Sequence, residues 1–218
     1  MFTRAMAAVV VLGLGLGACG TQTAGNGDDD GVPPRDGGVD ALARECTETI
    51  GDLARPVEVR PVYVDYRGET QPIADGAVGL IAPIQGGYVL MVGLEARNLR
   101  GCTAEITGTL RVPGTGAAIA VETRLTQLLI GADGWGHLAF PPTATTANLT
   151  TCPLNDLADD IDGHPYRLEL EIVDERGQRA SWSGDVVPFC RPNDPDPAAC
   201  PCQCDADFVF GQPCPVDP

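Results

Sequence analysis

Between about residue 55 and residue 190, apolar and polar side chains alternate in short runs separated by Gly, Pro and Asp. That is the pattern of strands with one face in a core and the other in water. It is clearest over 166–173, where Tyr166, Leu168, Leu170 and Ile172 share one face and Arg167, Glu169 and Glu171 the other. Ala104, Ile106, Leu110 and Val112 alternate in the same way with Thr103, Glu105, Thr107, Thr109 and Arg111, and Gly108 interrupts the apolar face. Over 88–96, Leu90, Val92 and Leu94 lie on one face and Val89 and Met91 on the other, which predicts a central strand buried on both sides. Further strands are expected over 57–66, 77–82, 118–130 and 179–187, making seven or eight. Residues 174–178 (Asp174, Glu175, Arg176, Gly177, Gln178) read as a hairpin turn, with Gly at a position that tolerates positive φ. Helical periodicity is not sustained anywhere; one short helical turn is expected over 154–161, capped by Asn155 and ended by Gly163 and Pro165.

An all-β antiparallel sandwich follows from this pattern, and one run narrows it. Asp162, Gly163, His164, Pro165, Tyr166, Arg167 and Leu168 are similar to the corner before the penultimate strand of immunoglobulin-like and fibronectin III-like sandwiches. The resemblance implies that the Tyr166 hydroxyl bonds back to the backbone a few residues upstream. Leu168 stands where antibody domains carry their second cysteine, so the resemblance is to the wider superfamily, without the inter-sheet disulfide. Trp135 and Trp182 are available to the core but do not sit where the antibody pattern places its tryptophan.

The two ends of the chain differ from this middle. Arg4 precedes an apolar run over 5–16 that is shorter than the roughly 20 residues needed to cross a bilayer, the form of an export signal. Leu16, Gly17, Ala18 and Cys19 resemble the bacterial lipobox, which implies cleavage before Cys19 and a lipid anchor on that cysteine. The anchor makes the membrane the first expected partner, and Gly20 in place of Asp favours the outer over the inner membrane. From 19 to 45 the chain is rich in Gly, Asp, Thr and Pro, with Asp28, Asp29 and Asp30 in succession, and reads as a flexible acidic tether. The expected layout is therefore a signal over 1–18, anchor and tether over 19–45, sandwich over 46–190, and a Pro-rich linker with a cysteine-rich tail over 191–218. As a whole the chain is similar to cysteine-rich lipoproteins of GC-rich bacteria, of myxobacterial type, a resemblance that carries no activity with it.

Assigning Cys19 to lipid leaves Cys46, Cys102, Cys152, Cys190, Cys200, Cys202, Cys204 and Cys214. An even number in an exported chain implies disulfides. Cys102 and Cys152 are a candidate pair inside the sandwich, Cys46 a candidate tie for the tether, and the tail must be held by disulfides because it has few bulky groups. Zinc on Cys200, Cys202, Cys204 and Cys214 is the alternative, disfavoured by their Cys-x-Cys-x-Cys spacing.

Charge and motifs then limit function. Thirty acidic residues face 14 basic ones, all Arg, for a net charge of −16. That argues against nucleic acid as a partner. His137 lies in a glycine-rich turn and His164 precedes Pro165; neither falls in a nucleophile, zinc-protease or phosphate-loop motif, so no catalytic residues, no enzyme activity and no cofactor are expected. Calcium on the acidic loop Asp156, Asp159, Asp160 and Asp162 is the weak site candidate. A non-catalytic binding or structural module with a protein or glycan partner is the leading reading. A calcium- or ligand-binding domain, a glycan-active enzyme and a protein inhibitor are the rivals, and oligomeric state is open.

Overall fold

The computed structural model of the chain describes residues 49–100, 103–154, 160–191 and 198–214. Cys19, the tether, Cys46, Cys102, Asp156 and Asp159 lie outside the described residues, as does most of the helical turn expected over 154–161. In chain order the strands are β1 (Thr49–Ile50), β2 (Glu58–Val64), β3 (Thr70–Pro72), β4 (Ala77–Gly79), β5 (Tyr88–Arg97) and β6 (Leu99–Arg100). They continue as β7 (Thr103–Arg111), β8 (Ala118–Ile130), β9 (Gly136–Leu138), β10 (Ala147–Cys152), β11 (Tyr166–Asp174) and β12 (Arg179–Phe189), followed by a short helix, α1 (Ala199–Cys204).

The expected all-β sandwich is the architecture. One layer runs β3-β2-β5-β10 and the other β8-β7-β11-β12-β4; among the described strands only β4 and β12 pair in parallel. β8 belongs to both layers, pairing with β7 along most of its length and with β9 over Leu128–Ile130, while β9 in turn reaches Ala96 of β5. β1 and β6 form a separate two-stranded sheet whose Ile50 and Leu99 are buried in the main core.

Burial follows the alternation. Tyr166, Leu168, Leu170 and Ile172 of β11 are buried, and they join Ile106 and Leu110 of β7, Leu90, Val92 and Leu94 of β5 and Leu149 of β10 in one core. β5 is covered on its other face too, by a smaller cluster of Val89, Met91 and Val64 with Ile81, so the expectation of a doubly buried central strand holds. Gly108 breaks the apolar face of β7 for a packing reason. A Cβ there would lie 3.0 Å from the Cβ of Ala147 and 3.4 Å from Leu149 on β10, so glycine marks a close approach of the two layers.

Two turns share one chemistry. In Asp174-Glu175-Arg176-Gly177-Gln178 the Asp174 carboxylate accepts the amides of Arg176 and Gln178 at 2.9 and 2.8 Å, and Gly177 has φ +78°. In Asp65-Tyr66-Arg67-Gly68-Glu69 the Asp65 carboxylate accepts the amides of Arg67 and Glu69 at 2.9 and 3.0 Å, and Gly68 has φ +77°. The first is the hairpin expected between the last two long strands. The second ends β2 at Val64, two residues before the end expected from the pattern, and returns the chain into β3.

Three features depart from expectation. β10 was not foreseen, because its sequence Ala147-Asn-Leu-Thr-Thr-Cys carries little apolar signal. Its buried Thr151 is satisfied instead by donating its hydroxyl to the Tyr88 carbonyl at 2.9 Å. Cys152 pairs with Cys204, which corrects the proposed Cys102–Cys152 bond. The tail is held by disulfides, as expected: Cys190–Cys200 and Cys152–Cys204 bind it to the sandwich, and Cys202–Cys214 closes it on itself. Zinc on Cys200, Cys202, Cys204 and Cys214 is thereby replaced by disulfides. α1 is too short to show periodicity in sequence, and its buried positions Cys200 and Cys204, one turn apart, are the two through which it is fastened.

Candidate functional site

The acidic loop was the sequence's site candidate, and its described part is an anchor point for the tail. The Asp162 carboxylate accepts the Cys190 amide at 2.7 Å, and the Asp160 carboxylate accepts the Ala206 amide at 2.9 Å. Around them the Ile161 amide donates to the Cys204 carbonyl at 3.1 Å and the Gly163 amide to the Pro188 carbonyl at 2.8 Å. The Tyr166 hydroxyl donates to the Asp160 carbonyl at 3.3 Å, the upstream bond that the corner resemblance implied. Each of the two aspartates thus has one carboxylate oxygen on a backbone amide. Among the described residues, the one group of three potential metal ligands within 4.8 Å of one another is Cys190, Cys200 and Cys204, whose sulfurs are already in disulfides.

A second cluster had no sequence signal beyond the presence of a histidine in a glycine-rich turn. His137, on β9, lies between two carboxylates: Nδ1 is 2.6 Å from Glu95 of β5 and Nε2 is 3.0 Å from Asp133 in the preceding turn. Gly131 permits this, since a Cβ there would come within 2.5 Å of Nε2. Serving both carboxylates requires a proton on each ring nitrogen, so the geometry selects the imidazolium. Burial disfavours that charge, but the hydrogen bonds to Asp133 and Glu95 outweigh it and His137 is held above its ordinary range. Asp133 is held below the usual carboxylate range, first by His137 and then by the Trp135 amide.

The cluster extends through arginine. Arg60 lies 3.7 Å from the Asp133 carboxylate, and its guanidinium sits over the buried Trp135 ring at 3.7 Å, with Arg97 at 4.8 Å from the same ring. Arg97 also pairs with Glu58, which draws the Glu58 carboxyl below its usual range. With both nitrogens committed to carboxylates, His137 has no lone pair free to activate a nucleophile. The arrangement fastens β9 to β2 and β5. His164, the other histidine, is exposed and places Nδ1 3.1 Å from the Asp162 carbonyl.

The open surface is the outer face of the β8-β7-β11-β12 layer. A shallow depression there is lined by Thr107 and Thr109 of β7, Glu169 and Glu171 of β11 and Ser181 and Ser183 of β12. Cross-strand pairs knit this face: Arg111 with Glu169 at 2.9 Å, Arg167 with Asp185 at 3.3 Å, and the hydroxyls of Thr107 and Thr123 at 2.9 Å. Acids, bases and hydroxyls alternate with their partners in place, which gives a flat surface able to accept and donate hydrogen bonds. No protein-family model matches this chain, and no curated protein matches it.

Proposed function

We propose that the chain is an exported lipoprotein, anchored through Cys19 in the bacterial envelope, whose immunoglobulin-like sandwich is a non-catalytic binding or structural module. The observation that carries this reading is the disulfide set. Each of the six described cysteines is bonded, and such bonds form and persist in oxidising compartments. The signal-like segment before Cys19 supplies the route to that compartment, and the strand order, with β4 parallel to the last strand, supports the immunoglobulin-like resemblance. The committed state of His137 supports a non-catalytic role, and the polar outer face is the surface best suited to a protein or glycan partner. Mass spectrometry of the mature N-terminus from a producing bacterium tests the anchor: acylated Cys19 is expected as the first residue. An unmodified start at another position would end the reading.

A further inference from the structure

The sandwich has four lateral edges, and three of them are protected. β3 is three residues long and ends in Pro72, and β4 is also three residues long. The entry to β10 is guarded by side chains of β8, which bind Asn148 of the strand and two carbonyls of the segment leading into it. Glu122 accepts the Asn148 amide, Arg124 donates to the Thr143 carbonyl at 3.3 Å, and Thr126 donates to the Thr145 carbonyl at 2.6 Å. These are the devices by which sheets avoid pairing with other chains.

β8 itself is the exception. It is the longest described strand, and along 118–126 it pairs with β7 on one side and with no described strand on the other, while the Gln127 carbonyl accepts the Ala139 amide at 2.9 Å. The side chains that face outward along this stretch are Val121, Thr123 and Leu125, without a charge among them. Val121 is 62% exposed and Leu125 70%. On a chain of net charge −16, an uncharged strip is where two copies can approach with least repulsion. Inward-pointing charges can guard an edge, but Glu122 and Arg124 already pair with each other at 2.5 Å.

We propose that two copies of this chain associate by antiparallel pairing of β8 with β8 about a two-fold axis at Thr123. The sequence is self-complementary in that register. Val121 lies opposite Leu125 of the partner copy and Leu125 opposite its Val121, so the apolar pairs repeat on both sides of the axis. On the inner face Glu122 lies opposite the partner copy's Arg124, and the reverse pair follows by symmetry. The four residues thus form an alternating charge square. A register centred one residue away sets Glu122 against Glu122 or Arg124 against Arg124, which like charges oppose.

The test uses the full chain, purified after export, with Thr123→p-benzoylphenylalanine for photocrosslinking and sedimentation across a dilution series. The expected result is a crosslinked band of doubled mass joining position 123 to residues 121–125 of a second copy, with concentration-dependent dimer in sedimentation. Leu125→Arg and, separately, Val121→Glu are expected to abolish both, with near-ultraviolet circular dichroism unchanged because both positions are exposed in the single chain. A monomer at every concentration, crosslinks outside β8, or a dimer that survives both substitutions in folded protein overturns the proposal.

Discussion

The carboxylate of Asp174 accepts the backbone amide of Arg100 at 3.1 Å, across 74 residues of chain. Its other oxygen accepts the amides of Arg176 and Gln178 inside the hairpin turn, so one buried side chain closes the β11–β12 turn and fixes β6 beside it. Asp174→Ala strands three amides at once. A loss of about 2–3 kcal/mol is expected in denaturant unfolding, in line with the cost of unsatisfied buried donors. Asp174→Asn keeps an oxygen for the turn amides and is expected to cost less. If alanine costs no more than asparagine, the bonds to the Arg176 and Gln178 amides contribute nothing.

The His137 cluster makes stability depend on pH in a definite direction. The folded-state pKa of His137 is raised above 6.5, because the hydrogen bonds to Asp133 and Glu95 outweigh the cost of burying the ring. Its contribution is therefore fully present below pH 6.5 and fades as pH rises through the folded value. Asp133 is lowered from 3.8 by its hydrogen bond to His137, so its contribution is present above that pH and fades as pH falls through its own folded value. Urea unfolding at intervals from acid to mildly alkaline pH should show more stability at pH 5 to 6 than at pH 8. The difference should shrink in His137→Gln. Imidazole NMR showing His137 titrating at or below 6.5 contradicts the assignment.

Cys152–Cys204 closes the longest of the described disulfide loops, with a sequence separation of 52, and holds the tail against β10. Loop-closure entropy assigns such a bond about 4 kcal/mol. Cys152→Ser together with Cys204→Ser is expected to lower stability by roughly that amount and to expose the region around 198–214 to limited proteolysis. Cys202→Ser with Cys214→Ser is expected to cost less, since that bond closes a loop within the tail alone. An isolated tail peptide lacks Cys152 and Cys190 and is not expected to adopt the bound arrangement. Equal protease resistance in all variants would mean that other contacts hold the tail.

How much of this was legible in sequence varies with the kind of force involved. β5, β7 and β11 announce themselves, because an alternating apolar face is written residue by residue. The corner at Tyr166 and the hairpin at Asp174 were readable because turn chemistry is local. β10 was not, since beside Leu149 its buried positions are Ala147, Cys152 and Thr151, whose hydroxyl finds a carbonyl distant in the chain. The His137 cluster was invisible for the same reason: Asp133 stands four residues away, but Glu95 stands 42 away and comes close only because β9 pairs with β5. The disulfide pairing was out of reach too. Cys152 and Cys204 lie 52 positions apart and meet only in the folded chain.

Gly108 offers the sharpest test of how the two layers fit. It is flanked across the sheet by Leu170 and Glu122, and across the core it faces Ala147 and Leu149. A strand normally gains from a β-branched residue, so propensity alone would favour Gly108→Val. Packing opposes it: the first carbon of any side chain already meets Ala147 at 3.0 Å, and the two methyls of valine have no space without parting the layers. Overpacking of this kind costs about 1–3 kcal/mol, so the net effect is expected to be destabilising. Gly108→Val with Leu149→Ala should recover part of the loss by opening room on β10, which a double-mutant cycle in urea would measure as a coupling between the two sites. If valine stabilises the protein on its own, propensity has won and the layers are further apart, or more yielding, than their geometry indicates.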